Sequence, residues 1–355
     1  MIVADDRKGL PSASKRERWS KCPGSHALEK LAPEQETTEA LLKGNRIHDA
    51  LYKGDLSVLV DEERELAERL VELEREAISQ WKKDIGYEGK PLLLKEQRLG
   101  FADRGEVRMT GKPDVVYSND ETILVIDYKT GMVGVESTEN PQLRALAVLA
   151  AEEFGVKTAY VTILQAGNPV VIEKLSESAL RMESERLKNE LERLETSIDT
   201  RVSGPQCQYC RAVGICPEAA SQTLALAQIR PETRDLINPS DLPKLLEGCI
   251  VAEAVIDAVR ARAKEIISGG GEVKGWKVQS VRKRFITDDT EALQRLSEEL
   301  GTDGALKVAS VSLTEAEKAI QAKHKCSKAE AGKRIDALLG ELVDRKEIER
   351  LMRCK

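Results

Sequence analysis

Residues 111–131 constrain the fold more than any other part of the chain, because two short apolar runs flank a polar turn. The runs alternate as β-strands do, and residues 118–121 supply the turn chemistry of an antiparallel hairpin. A turn centred between Asp120 and Glu121 sets a register in which Asp114 faces Asp127. Opposed Cβ atoms in such a pair lie about 4.5–5.5 Å apart. The segment therefore predicts two neighbouring carboxylates on one face of a sheet.

Lys129 follows Asp127 by two residues and is expected on the same face. Two close carboxylates repel each other unless a cation lies between them, and Mg²⁺ or Mn²⁺ prefers such oxygen ligands. A neighbouring ammonium can stabilise charge on a phosphodiester or orient a water. The pattern indicates metal-assisted phosphodiester hydrolysis. The alternative is that Asp114 and Asp127 are strand-end residues paired with nearby cations, since Asp-x-Lys is common, and a one-residue slip would separate the carboxylates.

Three further residues could complete such a site. His48 lies on a helical pattern one turn after Gly44, whose small size allows close approach of backbone. Gln142 begins a helix after the hairpin and could donate to a phosphate, and Glu96 on the preceding strand is an accessory carboxylate for a second ion. The alternative for His48 is a packed residue of an amphipathic helix, and exposed glutamines commonly have no such role.

The order of predicted elements is typical of an α/β fold with a mixed sheet flanked by helices. The first predicted helix begins near Ser12 or Ser14, and further helices are predicted at 38–51, 61–81, 141–154 and 176–197. The predicted strands are 91–98, 106–109, 114–117, 122–129, 158–164 and 170–175. The first four strands are expected to form an antiparallel meander.

The remainder of the chain is predicted to be mainly helical, over 240–268, 289–300 and from 314 onward, with a short β segment at 276–285. A glycine run at 269–271 is the best boundary mark. We therefore expect a core at residues 1–230, a helical connector at 231–271 and a small helical subdomain at 272–355.

Seven cysteines are present, and three of them crowd into Cys207-x2-Cys210-x5-Cys216. The spacing predicts one metal centre with a remote fourth ligand, for which Cys22 is the natural candidate. Three clustered cysteines and a distant one suit a 4Fe-4S cluster, with zinc as the less favoured occupant. Cys22 taken alone could equally be unliganded. The cysteines that lie within helical patterns and are expected to be bystanders are Cys249, Cys326 and Cys354.

The net charge and its distribution along the chain favour opposite conclusions about a nucleic-acid partner. The formal net charge of -6 argues against nucleic acid, but residues 1–30 and 314–355 are locally basic and some acidic residues are candidate metal ligands. The chain has no run of 18 apolar residues, and its charged N-terminus does not resemble a signal peptide. We therefore expect a cytoplasmic protein without membrane contact.

Taken together, these motifs resemble the RecB-like branch of the PD-(D/E)XK nuclease superfamily, and more closely its iron-sulfur members such as the CRISPR-associated exonucleases. The motifs that carry the resemblance are Gly44-x3-His48, Gly111-x2-Asp114, Asp127-Tyr128-Lys129, Gln142 and the set Cys22, Cys207, Cys210 and Cys216. The whole chain is similar to a phage-encoded family of largely unassigned function. The resemblance implies a restriction-endonuclease-like core closed by an iron-sulfur cluster.

The resemblance also implies roles for individual residues. His48, Asp114, Asp127 and the main-chain carbonyl of Tyr128 would bind Mg²⁺ or Mn²⁺, and Lys129 would assist the attacking water. Gln142 would hold the substrate, and the four cysteines would bind a structural cluster. One position departs from the family: a tyrosine usually follows the glutamine by four residues, and here Leu146 takes its place.

Three functions remain open from the sequence. The first is a DNA nuclease, with an exonuclease favoured, that acts in phage recombination or replication and could work with a phage protein of those processes. The second is a DNA-binding or assembly module that keeps the nuclease fold without cutting, as the Leu146 departure allows. The third is a redox- or iron-responsive regulator. Polarity, strand preference and oligomeric state are not encoded in any motif.

Overall fold

A computed structural model gives the fold of most of the chain. The described residues are 9–32, 38–131, 134–228, 238–278, 313–324 and 327–339, with a few between 293 and 309. Its contacts divide the chain into two units, residues 1–278 and 279–355. The first unit contains all the strands described below and every predicted site residue.

The central sheet has five strands in the order β1-β4-β5-β6-β7, and β2 pairs with β3 in a separate antiparallel hairpin. The strands are β1 (Leu92–Lys95), β2 (Leu99–Asp103), β3 (Glu106–Gly111), β4 (Val115–Ser118), β5 (Thr122–Lys129), β6 (Thr158–Gln165) and β7 (Glu173–Leu175). Strands β5 and β6 are parallel, whereas the other neighbours in the sheet are antiparallel. The sheet is therefore mixed, as predicted.

Helices cover both faces of this sheet. They are α1 (Arg16–Lys21), α2 (Gly24–Leu31), α3 (Glu39–Lys53), α4 (Asp61–Ile85), α5 (Pro141–Phe154), α6 (Glu177–Thr196), α7 (Pro217–Ala227) and α8 (Leu242–Ser268) in the first unit, with α9 (Leu313–His324) and α10 (Lys328–Leu339) in the second. Helix α8 packs on α7 and on the loop that carries the clustered cysteines.

Side-chain alternation along β5 divides the interior into two cores. Ile123 and Val125 pack in one core with α5 and α6, whereas Leu124 and Ile126 pack in the other with α3 and α4. All four side chains are 0% exposed, so β5 is covered on both faces. The end of this strand, which carries Asp127 and Lys129, is thus anchored between two apolar layers.

The predicted hairpin register is confirmed. Val115 lies opposite Ile126 and Ser118 lies opposite Ile123, which is the pairing that places Asp114 across from Asp127. The helix predicted over 61–81 is also confirmed as part of α4, and its apolar residues at helical spacing are buried, namely Leu70, Leu73, Ala77 and Trp81.

The predicted meander is wrong in its first half. The strand expected at 91–98 ends at Lys95, and a strand that the pattern did not predict, β2, follows. Glu96 has a φ of 50°, a left-handed backbone that interrupts the extended run. Strand β3 consequently pairs with β2 outside the main sheet, and β1 is the strand beside β4.

Helix α5 connects the two parallel strands. Asn140 caps its start by accepting from the Leu143 amide at 3.1 Å, and Gly155 ends it with a φ of 65°. These boundaries are those predicted from Pro141 and Gly155. Parallel neighbours need such a crossover, because a tight turn cannot join them.

The described residues cover only part of the elements predicted for the C-terminal region. Helix α8 matches the predicted 240–268, while α9 and α10 lie within the stretch predicted to be helical from 314. The β segment expected at 276–285 lies mostly outside the described residues, as does most of the helix expected at 289–300. Among the described residues, no helix combines the length and apolar character needed to cross a bilayer.

Candidate metal centre and cysteine pocket

The carboxylate of Asp114 lies at the centre of the candidate site. This residue immediately precedes β4 and is 8% exposed. Its Oδ2 accepts a hydrogen bond from the Tyr128 amide at 2.6 Å, and its Oδ1 lies 3.1 Å from Nδ1 of His48. The first contact fixes the carboxylate against β5, and the second links the sheet to α3.

Glu96 joins the same group. Ligand atoms of His48, Glu96 and Asp114 all lie within 4.8 Å of one another, a spacing at which one cation could contact all three. The Glu96 amide donates to the Asp114 carbonyl at 3.1 Å. The left-handed backbone at Glu96 therefore directs this carboxylate toward the group, and strain of this kind often occurs at functional sites.

A second set of contacts surrounds Asp127, which is 4% exposed near the end of β5. Lys129 Nζ lies 2.7 Å from Asp127 Oδ2, and Gln142 Nε2 donates to Asp127 Oδ1 at 2.6 Å. Lys129 Nζ also donates to Gln142 Oε1 at 3.1 Å. These three side chains form a closed triangle, which we call the Asp127 triangle. The structure thus places the candidate side chains in two groups, and Asp127, a predicted metal ligand, belongs to this triangle and not to the group of His48, Glu96 and Asp114.

The ionisable groups of the site compensate one another. Burial opposes protonation of His48, but hydrogen bonds to Asp114 and Glu96 prevail and raise its pKa to about 10. Burial raises the pKa of Asp114 to about 6, and the charge of Asp127 adds to this shift. Burial acts in the same direction on Glu96, but His48 and Lys112 lower the pKa of that carboxyl to about 2.

Lys112 is a member of the site that the sequence reasoning missed. It forms an ion pair with Glu96 and its side chain is 41% exposed. Its position two residues before Asp114 was a usable signal, because alternate residues of an extended segment share a face. This lysine places a solvent-accessible positive charge beside the three potential metal ligands.

Two glycines of the motifs are explained by close packing. A Cβ at Gly44 would lie 3.2 Å from Oγ1 of Thr130, so the glycine lets α3 approach the end of β5, as predicted. A Cβ at Gly111 would lie 2.7 Å from Leu146 Cδ2. Leu146 itself is 1% exposed and belongs to the core. The residue at the departing position therefore packs in the interior.

The four predicted cysteine ligands line one small cavity. Cys207 and Cys210 belong to an apolar cluster, and Cys22 Sγ accepts from the Val202 amide at 3.3 Å. Burial raises the pKa values of the Cys207 and Cys216 thiols and brings that of Cys210 to about 11. Cys249 is exposed on α8, while Cys326 and Cys354 lie outside the described residues.

The spacing of the thiols bears on what the cavity could hold. A tetrahedral zinc site with Zn–S distances of about 2.3 Å brings its sulfurs to within about 3.8 Å of one another. Among the described cysteines, no three Sγ atoms lie within 4.8 Å of one another. Ser25 also lines the cavity, is 3% exposed and has a buried hydroxyl without a hydrogen-bond partner. The donor groups at this cavity are thus four thiols and one hydroxyl, and the described thiols are not spaced as the sulfurs around one zinc ion would be.

Comparison with known proteins gives one family and several distant structural relatives. Residues 55–349 match the family described as "Protein of unknown function (DUF2800)". A "putative exonuclease" from Eubacterium rectale is 14% identical, with a TM-score of 0.32 over 56% of this chain and 88% of that chain. An alkaline exonuclease from Laribacter hongkongensis is 13% identical, with a TM-score of 0.27 over 54% of this chain and 91% of that chain.

Proposed function

We propose that this chain, which belongs to the DUF2800 family, is a divalent-metal-dependent nuclease that hydrolyses phosphodiester bonds in DNA. The observation that carries the proposal is the convergence of His48, Glu96 and Asp114 beside the Asp127 triangle. These groups come from two helices, a loop and the ends of two strands. A surface ion pair would need only two of them, whereas metal-assisted hydrolysis uses the whole set.

We assign some of these residues to metal binding and others to orienting water and holding the substrate. His48, Glu96, Asp114 and Asp127, with the Tyr128 carbonyl, would hold Mg²⁺ or Mn²⁺. When bound, such an ion polarises a phosphoryl oxygen and lowers the pKa of a water. Lys129, 2.7 Å from Asp127, would orient the attacking water and balance negative charge on the scissile phosphate. Gln142 would hold Lys129 in place and donate to the substrate.

The family resemblance implies a more specific activity. We propose an exonuclease that acts on DNA ends during phage recombination or replication in the host cytoplasm, with a protein of those processes as a partner. Lys112, close to the site and accessible to solvent, supports a polyanionic substrate.

We further propose that Cys22, Cys207, Cys210 and Cys216 hold a 4Fe-4S cluster that ties α1 and α2 to the loop before α7. The wide thiol spacing and the unpaired Ser25 hydroxyl support this occupant. Its role would be structural, because the cysteine ligands lie on elements that contribute none of the proposed metal ligands of the carboxylate site.

The deciding experiment is a hydrolysis assay on end-labelled linear DNA and closed circular DNA with Mn²⁺, with EDTA, and with metal restored. We expect metal-dependent degradation of the linear substrate, and blocked 5′ or 3′ ends would give the polarity. DNA binding without hydrolysis under all metal conditions would instead support the assembly-module alternative. A DNA affinity that follows the oxidation state of bound iron would support the regulator.

A further inference from the structure

The loop between β5 and α5 connects two members of the Asp127 triangle. Lys129 ends β5 and Gln142 is the second residue of α5, so the loop after β5 joins the two residues along the chain. The described part of this loop, residues 130–131 and 134–140, contains neither helix nor strand. Its conformation must therefore be fixed by contacts with other elements rather than by its own backbone ladder.

Gln165 supplies these contacts from the neighbouring strand. It is the last residue of β6, pairs in register with Lys129 and is 4% exposed. Its Nε2 donates to the Gly131 carbonyl at 2.6 Å, and its Oε1 accepts from the Val135 amide at 3.0 Å. One side chain therefore holds the loop at two points, just after Lys129 and midway to Gln142.

A carboxamide is the side chain that suits this task. One loop group is an acceptor and the other a donor, and an amide satisfies both without adding charge beside the Asp127 triangle. A second tether lies further along the loop, where Ser137 Oγ accepts from the Ile163 amide of β6 at 2.8 Å. Gln165 and Ile163, near the end of β6, thus hold the loop by hydrogen bonds.

We infer that Gln165 is a positioning residue that sets the distance between Lys129 and Gln142. The inference rests on the proposed nuclease function, because the two residues it positions are assigned to water activation and substrate holding. It gives β6, which contributes none of the proposed metal ligands or catalytic side chains, a part in the reaction. Loss of Gln165 would act on the chemical step and leave metal binding intact.

The test compares Gln165→Leu with the wild-type protein in the DNA hydrolysis assay. We expect kcat to fall about 10- to 100-fold with KM for DNA and Mn²⁺ affinity within about 2-fold. Gln165→Glu, which keeps the acceptor but not the donor, should lie between the two proteins. Amide hydrogen exchange should rise at Val135 and remain unchanged in β4.

Two comparisons separate positioning from general damage. Asn168→Ala removes a 2.8 Å bond to the same Oε1 atom without touching the loop, and it should leave kcat unchanged. In a Gln142→Leu background, Gln165→Leu should cost much less than in the wild type, because both act through the same contact.

The outcomes distinguish this inference from the proposed function. A Gln165→Leu protein with full kcat, or an effect that multiplies independently with Gln142→Leu, overturns the positioning role while the nuclease assignment stands. A wild-type protein that hydrolyses no DNA overturns both.

Discussion

In the carboxylate site, ionised side chains lie against groups of opposite charge, whereas two of the thiols of the cysteine pocket lie in an apolar cluster. His48 contacts Asp114, Lys112 contacts Glu96, and Lys129 contacts Asp127. In the pocket, Cys207 and Cys210 pack with neutral residues of one apolar cluster. Both regions gather residues that are far apart in sequence, but they stabilise them differently.

The difference teaches what each region can tolerate. In the carboxylate site, the protein's own cations offset part of the negative charge. The pocket holds thiols whose pKa values are raised by burial, and ligand binding must remove their protons. Binding of the proposed cluster would therefore be coupled to folding of the pocket. We expect substitutions in the first region to affect activity and those in the second to affect stability.

The largest expected effect is on catalysis, from Asp127→Asn. The amide keeps the size of the side chain but removes the charge that pairs with Lys129. Hydrolysis should fall by at least about 1,000-fold, while the melting temperature changes by only a few degrees. Initial rates on labelled linear DNA and a thermal melt measure both. Asp120→Asn is the matched control, because this exposed residue lies at the tip of the same hairpin. Retained activity in Asp127→Asn would contradict the nuclease assignment.

The next effect should appear in stability, from Cys216→Ser. Loss of one ligand should release most of the iron and lower the melting temperature by roughly 10 °C. Hydrolysis by the protein that remains folded should stay within about 3-fold of wild type, since the pocket has no part in the chemistry. Iron analysis after anaerobic purification, a thermal melt and a rate measurement test this.

Cys249→Ser, which changes an exposed cysteine on α8, should retain both iron and stability. Stoichiometric zinc in a colourless wild-type protein would rule out the iron-sulfur assignment.

Glu96→Gln should affect metal binding with little effect on folding. Removing one of three converging ligands should weaken Mn²⁺ binding by about 10- to 100-fold, measured by calorimetry or by the EPR signal of free Mn²⁺. Glu88→Gln, at an exposed position between α4 and β1, serves as the control. Equal Mn²⁺ affinity of the two variants would show that Glu96 is not a ligand.

A pair of glycines tests the same contrast through packing. A Cβ at Gly24, beside the cysteine pocket, would lie 2.6 Å from the Ile198 carbonyl oxygen, a backbone atom that cannot move freely. Gly24→Ala should cost about 1–3 kcal/mol and release iron. A Cβ at Gly44 meets only a side-chain oxygen at 3.2 Å, so Gly44→Ala should leave stability within about 1 kcal/mol. Urea unfolding of both variants decides whether the two differ.

The smallest effect concerns Ser25 and should change sign with the occupant. The Ser25 hydroxyl is buried without a hydrogen-bond partner from the protein, so Ser25→Ala should be neutral or stabilising in protein from which iron has been removed. In iron-loaded protein the hydroxyl would donate to a sulfur, and its removal should destabilise by about 0.5–1.5 kcal/mol. A destabilisation of the same size in both states would mean that Ser25 does not contact the occupant.

The sequence determined the parts of the molecule that depend on local periodicity and turn geometry. The turn centred between Asp120 and Glu121 sets the register of β4 and β5, because a two-stranded hairpin has one pairing for a given turn. The boundaries of α5 followed from Pro141 and Gly155, and the buried face of α4 followed from its helical spacing. Local sequence therefore assigns the residues of the Asp127 triangle to β5 and α5 without reference to tertiary contacts.

Only the tertiary structure decided how these elements meet. The left-handed backbone at Glu96 ended β1 early, moved β3 out of the main sheet and brought this carboxylate to Asp114. Lys112, which precedes β4, pairs with Glu96, which follows β1. Gln165 contacts the loop after β5 from β6, the strand that is parallel to β5. The physical reason is that local patterns specify which face a residue occupies, whereas distances between separate elements follow from how the cores pack.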